Sequence, residues 1–254
     1  MKQVVQSFRD GALYVDDVPS PALRPGGVLV ATEYSIVSAG TERSKVDLAR
    51  KHLVGKAMAR PDQVRKVLAT VRREGLTAAY HKVMNKLDAL APLGYSTSGR
   101  VVAVGAGCEQ LAVGDRVACA GAGYANHAEL VWVPGNLCAA VPAEVDSADA
   151  AFATIGAIAL HGVRQAEAKL GETVVVIGLG LLGQLAVQLL VASGCRVIGV
   201  DVDPWKLEVA RAAGAERAFL RSDDVLGHTL DATRGRGADA VLITAATADN
   251  DPFV

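Results

Sequence analysis

Aromatic side chains are scarce in this 254-residue sequence, with 4 Phe, 5 Tyr and 2 Trp against 26 Gly. A surface that binds nucleic acid by stacking bases on rings is therefore not expected. Neither sign of charge dominates: 26 Lys and Arg face 27 Asp and Glu, for a net charge of −1. No whole-molecule field selects a partner. Cysteine is confined to Cys108, Cys119, Cys138 and Cys195, with no C-x-x-C pair. That spacing suits neither a disulfide framework nor a structural zinc site, and it fits a reducing, cytoplasmic setting. The N-terminal stretch from Met1 to Asp10 lacks the apolar core of a signal peptide. One long hydrophobic run exists, Thr173 to Gly194, but Gly178, Gly180 and Gly183 interrupt it where a soluble strand-to-helix turn needs them. It reads as strand plus helix, and no membrane span is expected.

What is present is a composition 51% apolar and 21% charged, which predicts a well-buried core. The length suits two modest domains. Residues 1 to about 42 read as short strands, with Val28, Val30, Thr32, Tyr34 and Ile36 alternating with Leu29, Ala31, Glu33 and Ser35 after the Pro25-Gly26-Gly27 turn. A second strand-rich stretch runs from about 92 to 145, and many short strands joined by glycine turns predict a small barrel. Between them, residues 43–91 read as a helical insertion. An early turn carries Val46, Ala49 and Leu53; Pro61 opens a helix that Gly75 closes; Thr77 is placed to cap the next. This insertion holds twelve Lys and Arg against four Asp and Glu. Its basic face is either a solvated surface or one that attracts an anionic substrate or acidic partner.

From about residue 146 the pattern alternates strand and helix: a helical connection over 148–167, strands at 173–177, 195–200, 217–220 and 238–244, and helices at 181–193, 204–213 and 223–234. Such alternation makes a parallel α/β sheet. The domains are thus expected at 1–147, carrying the insertion, and at 148–254.

The strand Thr173–Ile177 runs into Gly178-Leu179-Gly180-Leu181-Leu182-Gly183, and Asp201 ends the next strand. In a strand-turn-helix this G-x-G-x-x-G predicts a dinucleotide site. Gly178 permits the tight turn, Gly180 lets the backbone approach a pyrophosphate, and Gly183 lets helix and strand pack closely. The N–H groups of the first helical turn, including Leu181 and Leu182, hold the anion. Asp201 accepts the ribose hydroxyls and repels a 2′-phosphate, which predicts NAD over NADP. Asp203, just before Pro204, is the better helix cap.

With a barrel followed by this fingerprint, and with Ala39-Gly40-Thr41-Glu42, Val102-Ala103-Val104-Gly105, Gly114-Asp115-Arg116-Val117 and Gly237-Ala238-Asp239, the sequence resembles the medium-chain dehydrogenase/reductase superfamily of zinc alcohol dehydrogenase type. The resemblance implies a GroES-like barrel followed by a doubly wound Rossmann sheet, and a ribose contact from Lys206. The family's zinc-ligand positions are occupied here by Ala39, by Tyr95, and by one of Ala153, Thr154 or Ile155, and the four-cysteine lobe is absent. Catalytic zinc needs three N, S or O⁻ ligands, so no metal is expected. Ser38 to Glu42, the basic insertion and Leu93-Gly94-Tyr95 together look like a narrower zinc-less branch. There, such a half is fused to a glucose–fructose-oxidoreductase-like half and is linked with bacterial polysaccharide metabolism.

The resemblance implies NAD-dependent, zinc-independent hydride transfer between nicotinamide and an alcohol or ketone, or a sugar derivative. Thr41 matches the family's relay hydroxyl, and Tyr95 faces the reacting carbon as a proton donor. The histidines, His127 included, are weak candidates. An NAD(P)H-dependent quinone or enone reductase, or a non-catalytic nucleotide-binding module, stands as the alternative. A fused or docking oxidoreductase domain and a homo-oligomer remain open as partners. Four strands of the usual six are counted, so a fragment of a longer protein is expected, the alternative being a degenerate chain.

Overall fold

Valine at alternate positions builds the first sheet. In the computed structural model, which describes residues 1–40, 42, 46, 58 and 61–245, the chain divides into two compact units, Met1–Thr154 and Ile155–Val254.

The first unit opens with strands β1 (Lys2–Ser7), β2 (Leu13–Asp17) and β3 (Gly27–Ser35). It continues with β4 (Leu90–Pro92), β5 (Ser96–Val104), β6 (Arg116–Ala120), β7 (Leu130–Pro134) and β8 (Cys138–Ala140). Five of these form an antiparallel sheet in the order β7-β3-β5-β6-β8, and three form β2-β1-β4. A bridge between Gln3 and Ala128 joins the two sheets. This is the curled, GroES-like arrangement. Val28, Val30, Val117 and Val133 are fully buried in its core, as inward positions of alternating strands should be. The alternation fails toward the end of β3, where Tyr34 is 52% exposed. A register shift between Thr32 and Tyr34 displaces the side-chain phase there.

Helices α1 (Pro61–Glu74) and α2 (Leu76–Asp88) form the described part of the insertion. The expected cap at Thr77 is not used. Gly75, at φ 89°, occupies the cap position without a side-chain bond, and its N–H donates to the Val71 carbonyl. A left-handed glycine ends one helix and lets the next restart at once, which places Thr77 inside the first turn. Of the early turn at Val46, Ala49 and Leu53, the last two lie outside the described residues, as do Arg43, Lys45, Arg50, Lys51, Lys56 and Arg60 of the basic face. Within the described part, Arg73 and Lys82 both pair with Glu74, at 2.7 and 2.5 Å. The expected continuous connection over 148–167 is two helices, α3 (Ser147–Ala150) and α4 (Ala153–Gln165). The hydroxyls of Ser98 and Ser96 on β5 donate to the carbonyls of Ser147 and Ala151, tying the break to the sheet.

The second unit contains β9 (Thr173–Ile177), α5 (Leu181–Ala192), β10 (Arg196–Asp201), α6 (Pro204–Ala212), β11 (Arg217–Leu220), α7 (Val225–Ala232) and β12 (Ala240–Ile243). Its sheet is parallel, in the order β11-β10-β9-β12, with four strands among the described residues. Val174 and Val176 pack with Ala186, Val187, Leu190, Leu207 and Ala210 of α5 and α6. On the other face, Val175, Ile198 and Val200 pack with Val225 and Ala232 of α7. Burial on both faces explains the unbroken valine run of β9. The long apolar run is therefore a strand and a 12-residue helix. Among the described residues no helix is long and apolar enough to cross a membrane.

Candidate functional site

The turn between β9 and α5 can be built only from glycine at two of its three fingerprint positions. Gly178 has φ 91°, and a Cβ there would lie 2.5 Å from the Ala245 nitrogen; a Cβ at Gly183 would lie 1.9 Å from the Gly178 carbonyl oxygen. Gly180 differs, because a Cβ there would meet nothing within 4 Å. It occupies the cap position of α5 and no side chain caps that helix, so the N–H groups of Leu181, Leu182 and Gly183 head an apolar helix at its positive end.

Asp201 lies beside this turn, 8% exposed. Its Oδ2 accepts from the Leu179 N–H at 2.6 Å. Its Oδ1 accepts from the N–H groups of Val202 and Asp203 at 2.8 and 3.0 Å and from Lys206 Nζ at 3.2 Å. Burial pushes this carboxyl up, but the Leu179 and Asp203 N–H groups and the Lys206 ammonium outweigh it and hold the carboxyl below its ordinary range. The carboxylate thus joins the glycine turn of β9 to the end of β10. With one recorded donor, Oδ2 has acceptor capacity to spare. Gln184 closes the same corner, its side-chain amide donating to the Leu179 and Lys206 carbonyls. Asp203 caps α6 through the Trp205 N–H, which leaves Asp201 free of that task. The open space at Gly180, the uncapped helix end and the adjacent carboxylate fit a dinucleotide.

In the first unit, Thr41 lies outside the described residues. Tyr95 is half-buried, and its backbone carbonyl accepts from the Gly121 N–H at 2.9 Å. Its neighbour Gly94 has φ 94°, and a Cβ there would lie 2.7 Å from the His127 nitrogen and 3.0 Å from the His127 ring. That ring is the center of a cluster not anticipated from the sequence. Nε2 is 3.0 Å from Glu42 Oε1, and Nδ1 is 2.9 Å from Ser35 Oγ. His127 and Glu42 are both 8% exposed. The cluster ties Glu42 to the ring that closes on Gly94, the neighbour of Tyr95. The one hint in the sequence was the ionisable His127 itself.

The positions matching family zinc ligands offer poor donors. Ala39 is a methyl group, Tyr95 a phenol, and the Thr154 hydroxyl is spent on the Cys119 carbonyl at 3.3 Å. Among the described residues, no group of three His, Cys, Asp or Glu side chains is placed to hold a metal ion. The side chains at these positions do not by themselves fit a catalytic zinc.

Comparison with known proteins gives two family matches, "Alcohol dehydrogenase GroES-like domain" over residues 63–143 and "Zinc-binding dehydrogenase" over 182–250. The chain is similar to "Probable D-xylulose reductase A" of Arthroderma otae, 31% identical over 183 residues, which is 59% of this chain and 51% of that protein. It is also similar to D-guloside 3-dehydrogenase of Escherichia coli, 38% identical over 93 residues, or 36% of this chain and 27% of that protein. The chain thus spans about half or less of the length of these curated relatives. Among solved structures, an alcohol dehydrogenase from Thermus sp. ATN1 matches with a TM-score of 0.73 at 22% identity, covering 98% of this chain and 71% of that one. That last likeness is one of fold.

Proposed function

Because the chain belongs to the medium-chain dehydrogenase/reductase superfamily, whose members bind NAD(P), we propose that it is an NAD-dependent, zinc-independent oxidoreductase acting on an alcohol or ketone of sugar type. The observation that carries this reading is the buried Asp201 carboxylate beside the open turn at Gly180. In this reading Gly178 and Gly183 hold the turn's shape, and the N–H groups of Leu181, Leu182 and Gly183 bind the pyrophosphate. Asp201 Oδ2 accepts a ribose hydroxyl, and Lys206 holds the carboxylate in place. The nicotinamide, when bound, supplies or takes the hydride.

The proton is left to the first unit. Tyr95 donates it in the reduction direction, with the Thr41 hydroxyl as the relay. Zinc independence rests on the donor chemistry at Ala39, Tyr95 and Thr154. The sugar-type substrate is supported by the D-guloside 3-dehydrogenase match, which spans the smaller part of that enzyme.

Fluorescence titration with NADH and NADPH tests the cofactor reading. Saturable NADH binding, tighter than NADPH by about tenfold or more, is expected from the Asp201 carboxylate meeting a 2′-phosphate. Equal affinities, or none, overturn it. Metal analysis of the active preparation tests the zinc reading, and stoichiometric zinc would sink it. With a polyol or ketose panel, Tyr95→Phe is expected to lower turnover by about 100-fold, the usual scale for a lost general acid, with NADH affinity within a factor of about two. Full turnover removes the phenol from the mechanism.

A further inference from the structure

Two of the four cysteines face each other across a strand pair. Cys119 on β6 and Cys138 on β8 are register partners in an antiparallel ladder, with their sulfurs 3.9 Å apart. Their backbones do not bond to each other at this rung. The Cys138 N–H donates to the Gly135 carbonyl. The Val141 N–H donates to the Arg116 carbonyl three rungs along, so the alternation of antiparallel pairs makes 119–138 a non-hydrogen-bonded rung. Cα atoms at such rungs are about 4.5 Å apart, inside the span a disulfide bridges. Side-chain rotation alone can close the gap.

We propose that this rung is a peroxide-reactive site, with Cys138 as the sulfur that meets the oxidant and Cys119 as the one that resolves it into a disulfide. Cys138 is half-buried while Cys119 is 2% exposed, so a small oxidant reaches Cys138 first. The thiol of Cys119, donated to the Cys138 sulfur, holds Cys138 below the usual thiol range against the opposing pull of burial. The same bond, together with burial, pushes Cys119 up. The more accessible sulfur is thus also the one held lower, and its thiolate is the form that reacts. The remaining two are differently placed: Cys108 is 1% exposed, and the Cys195 thiol, raised by burial, donates to the Lys169 carbonyl.

The chemistry balances with hydrogen peroxide as oxidant. The Cys138 thiolate attacks one peroxide oxygen and the O–O bond breaks. The departing hydroxide takes a proton and leaves as water, giving a sulfenic acid on Cys138. Cys119 then attacks the Cys138 sulfur, the S–O bond breaks, and the hydroxyl leaves as water with the Cys119 proton. Two thiols lose two electrons, and one peroxide becomes two waters.

The full chain, treated with equimolar hydrogen peroxide near neutral pH and then alkylated and unfolded, supplies the test. Titratable thiols are expected to fall from four to two, peptide mapping to link Cys119 to Cys138, and dithiothreitol to restore all of them. In Cys119→Ser, Cys138 is expected to stop at a sulfenic acid that dimedone traps. In Cys138→Ser, thiol loss slows by about tenfold or more. Survival of every thiol, sulfinic acid at Cys138 with Cys119 free, or a link through Cys108, Cys195 or a second chain each overturns the proposal.

Discussion

Alanine at Gly183 is expected to cost the C-terminal unit about 2–3 kcal/mol, whereas alanine at Gly180 leaves it folded and removes dinucleotide binding. The two glycines stand three residues apart in one turn, yet they face opposite surroundings. A Cβ at Gly183 would lie 1.9 Å from the Gly178 carbonyl oxygen and 2.8 Å from Thr244 Oγ1. The first contact is backbone, and Gly178 cannot yield because its own φ of 91° and its closeness to Ala245 fix it. Helix α5 must therefore lift off the sheet, an overpacking strain of about 1–3 kcal/mol before losses in the Val187 and Leu190 core are added. For a unit of this size the change corresponds to on the order of 10 °C in Tm.

At Gly180, φ is −69° and the space is open. Alanine there gains roughly 0.5 kcal/mol through the unfolded chain. If the open space is where the pyrophosphate meets the backbone, the added methyl displaces the ligand. Losing charge-assisted N–H bonds of about 1.5–3 kcal/mol lowers NADH affinity roughly 10- to 100-fold. Circular dichroism melts and NADH fluorescence titrations on the two variants separate fold from binding. A Gly180→Ala protein that binds NADH like the parent would empty the site of its proposed ligand.

The C-terminal half was legible because its signals are local. A valine run followed by Gly178-x-Gly180-x-x-Gly183 places strand, turn and helix within a dozen residues, and Asp203-Pro204 marks the next helix start where the structure has it. The barrel half was legible only as a class. Tyr34 loses its face to a register shift that pairing with β5 imposes, and no pattern within β3 announces it. The Thr77 cap failed because a left-handed Gly75 serves two helices at once. The cluster of Ser35, Glu42 and His127 escaped notice for the same underlying reason: its hydrogen bonds span 92 and 85 residues. Contacts of that range are set by strand pairing across the sheet and carry no local periodicity. The cysteine rung belongs to this class too. Spacing spoke against a disulfide framework, while the register of β6 and β8 is what brings two of the thiols together.

The substitution Asp201→Asn should both erase the cofactor preference and remove an acid-side dependence of stability. One carboxylate here accepts four donors, from Leu179, Val202, Asp203 and Lys206. An asparagine amide offers one acceptor oxygen and turns an NH2 toward the rest, which leaves buried donors opposed at a cost of about 1–3 kcal/mol. Because the native carboxyl is held below its ordinary range, its stabilisation is fully present above the unfolded-chain value of about 3.9. It is lost as pH falls through the lower folded value. The stability gap between parent and variant should accordingly be widest at neutral pH and close as the solution is acidified. For the cofactor, losing the charged acceptor weakens NADH by roughly 10- to 100-fold. NADPH is spared, since its 2′-phosphate no longer meets a negative charge, so the affinity ratio moves by about tenfold or more toward NADPH. Asp203→Ala is the control. It removes the α6 cap at about 1 kcal/mol but carries no charge to the ribose, and it should lower Tm while leaving the ratio unchanged. An Asp201→Asn protein that melts lower yet keeps the parent ratio would reduce Asp201 to a structural tie between β9 and β10, and the NAD preference would need another source.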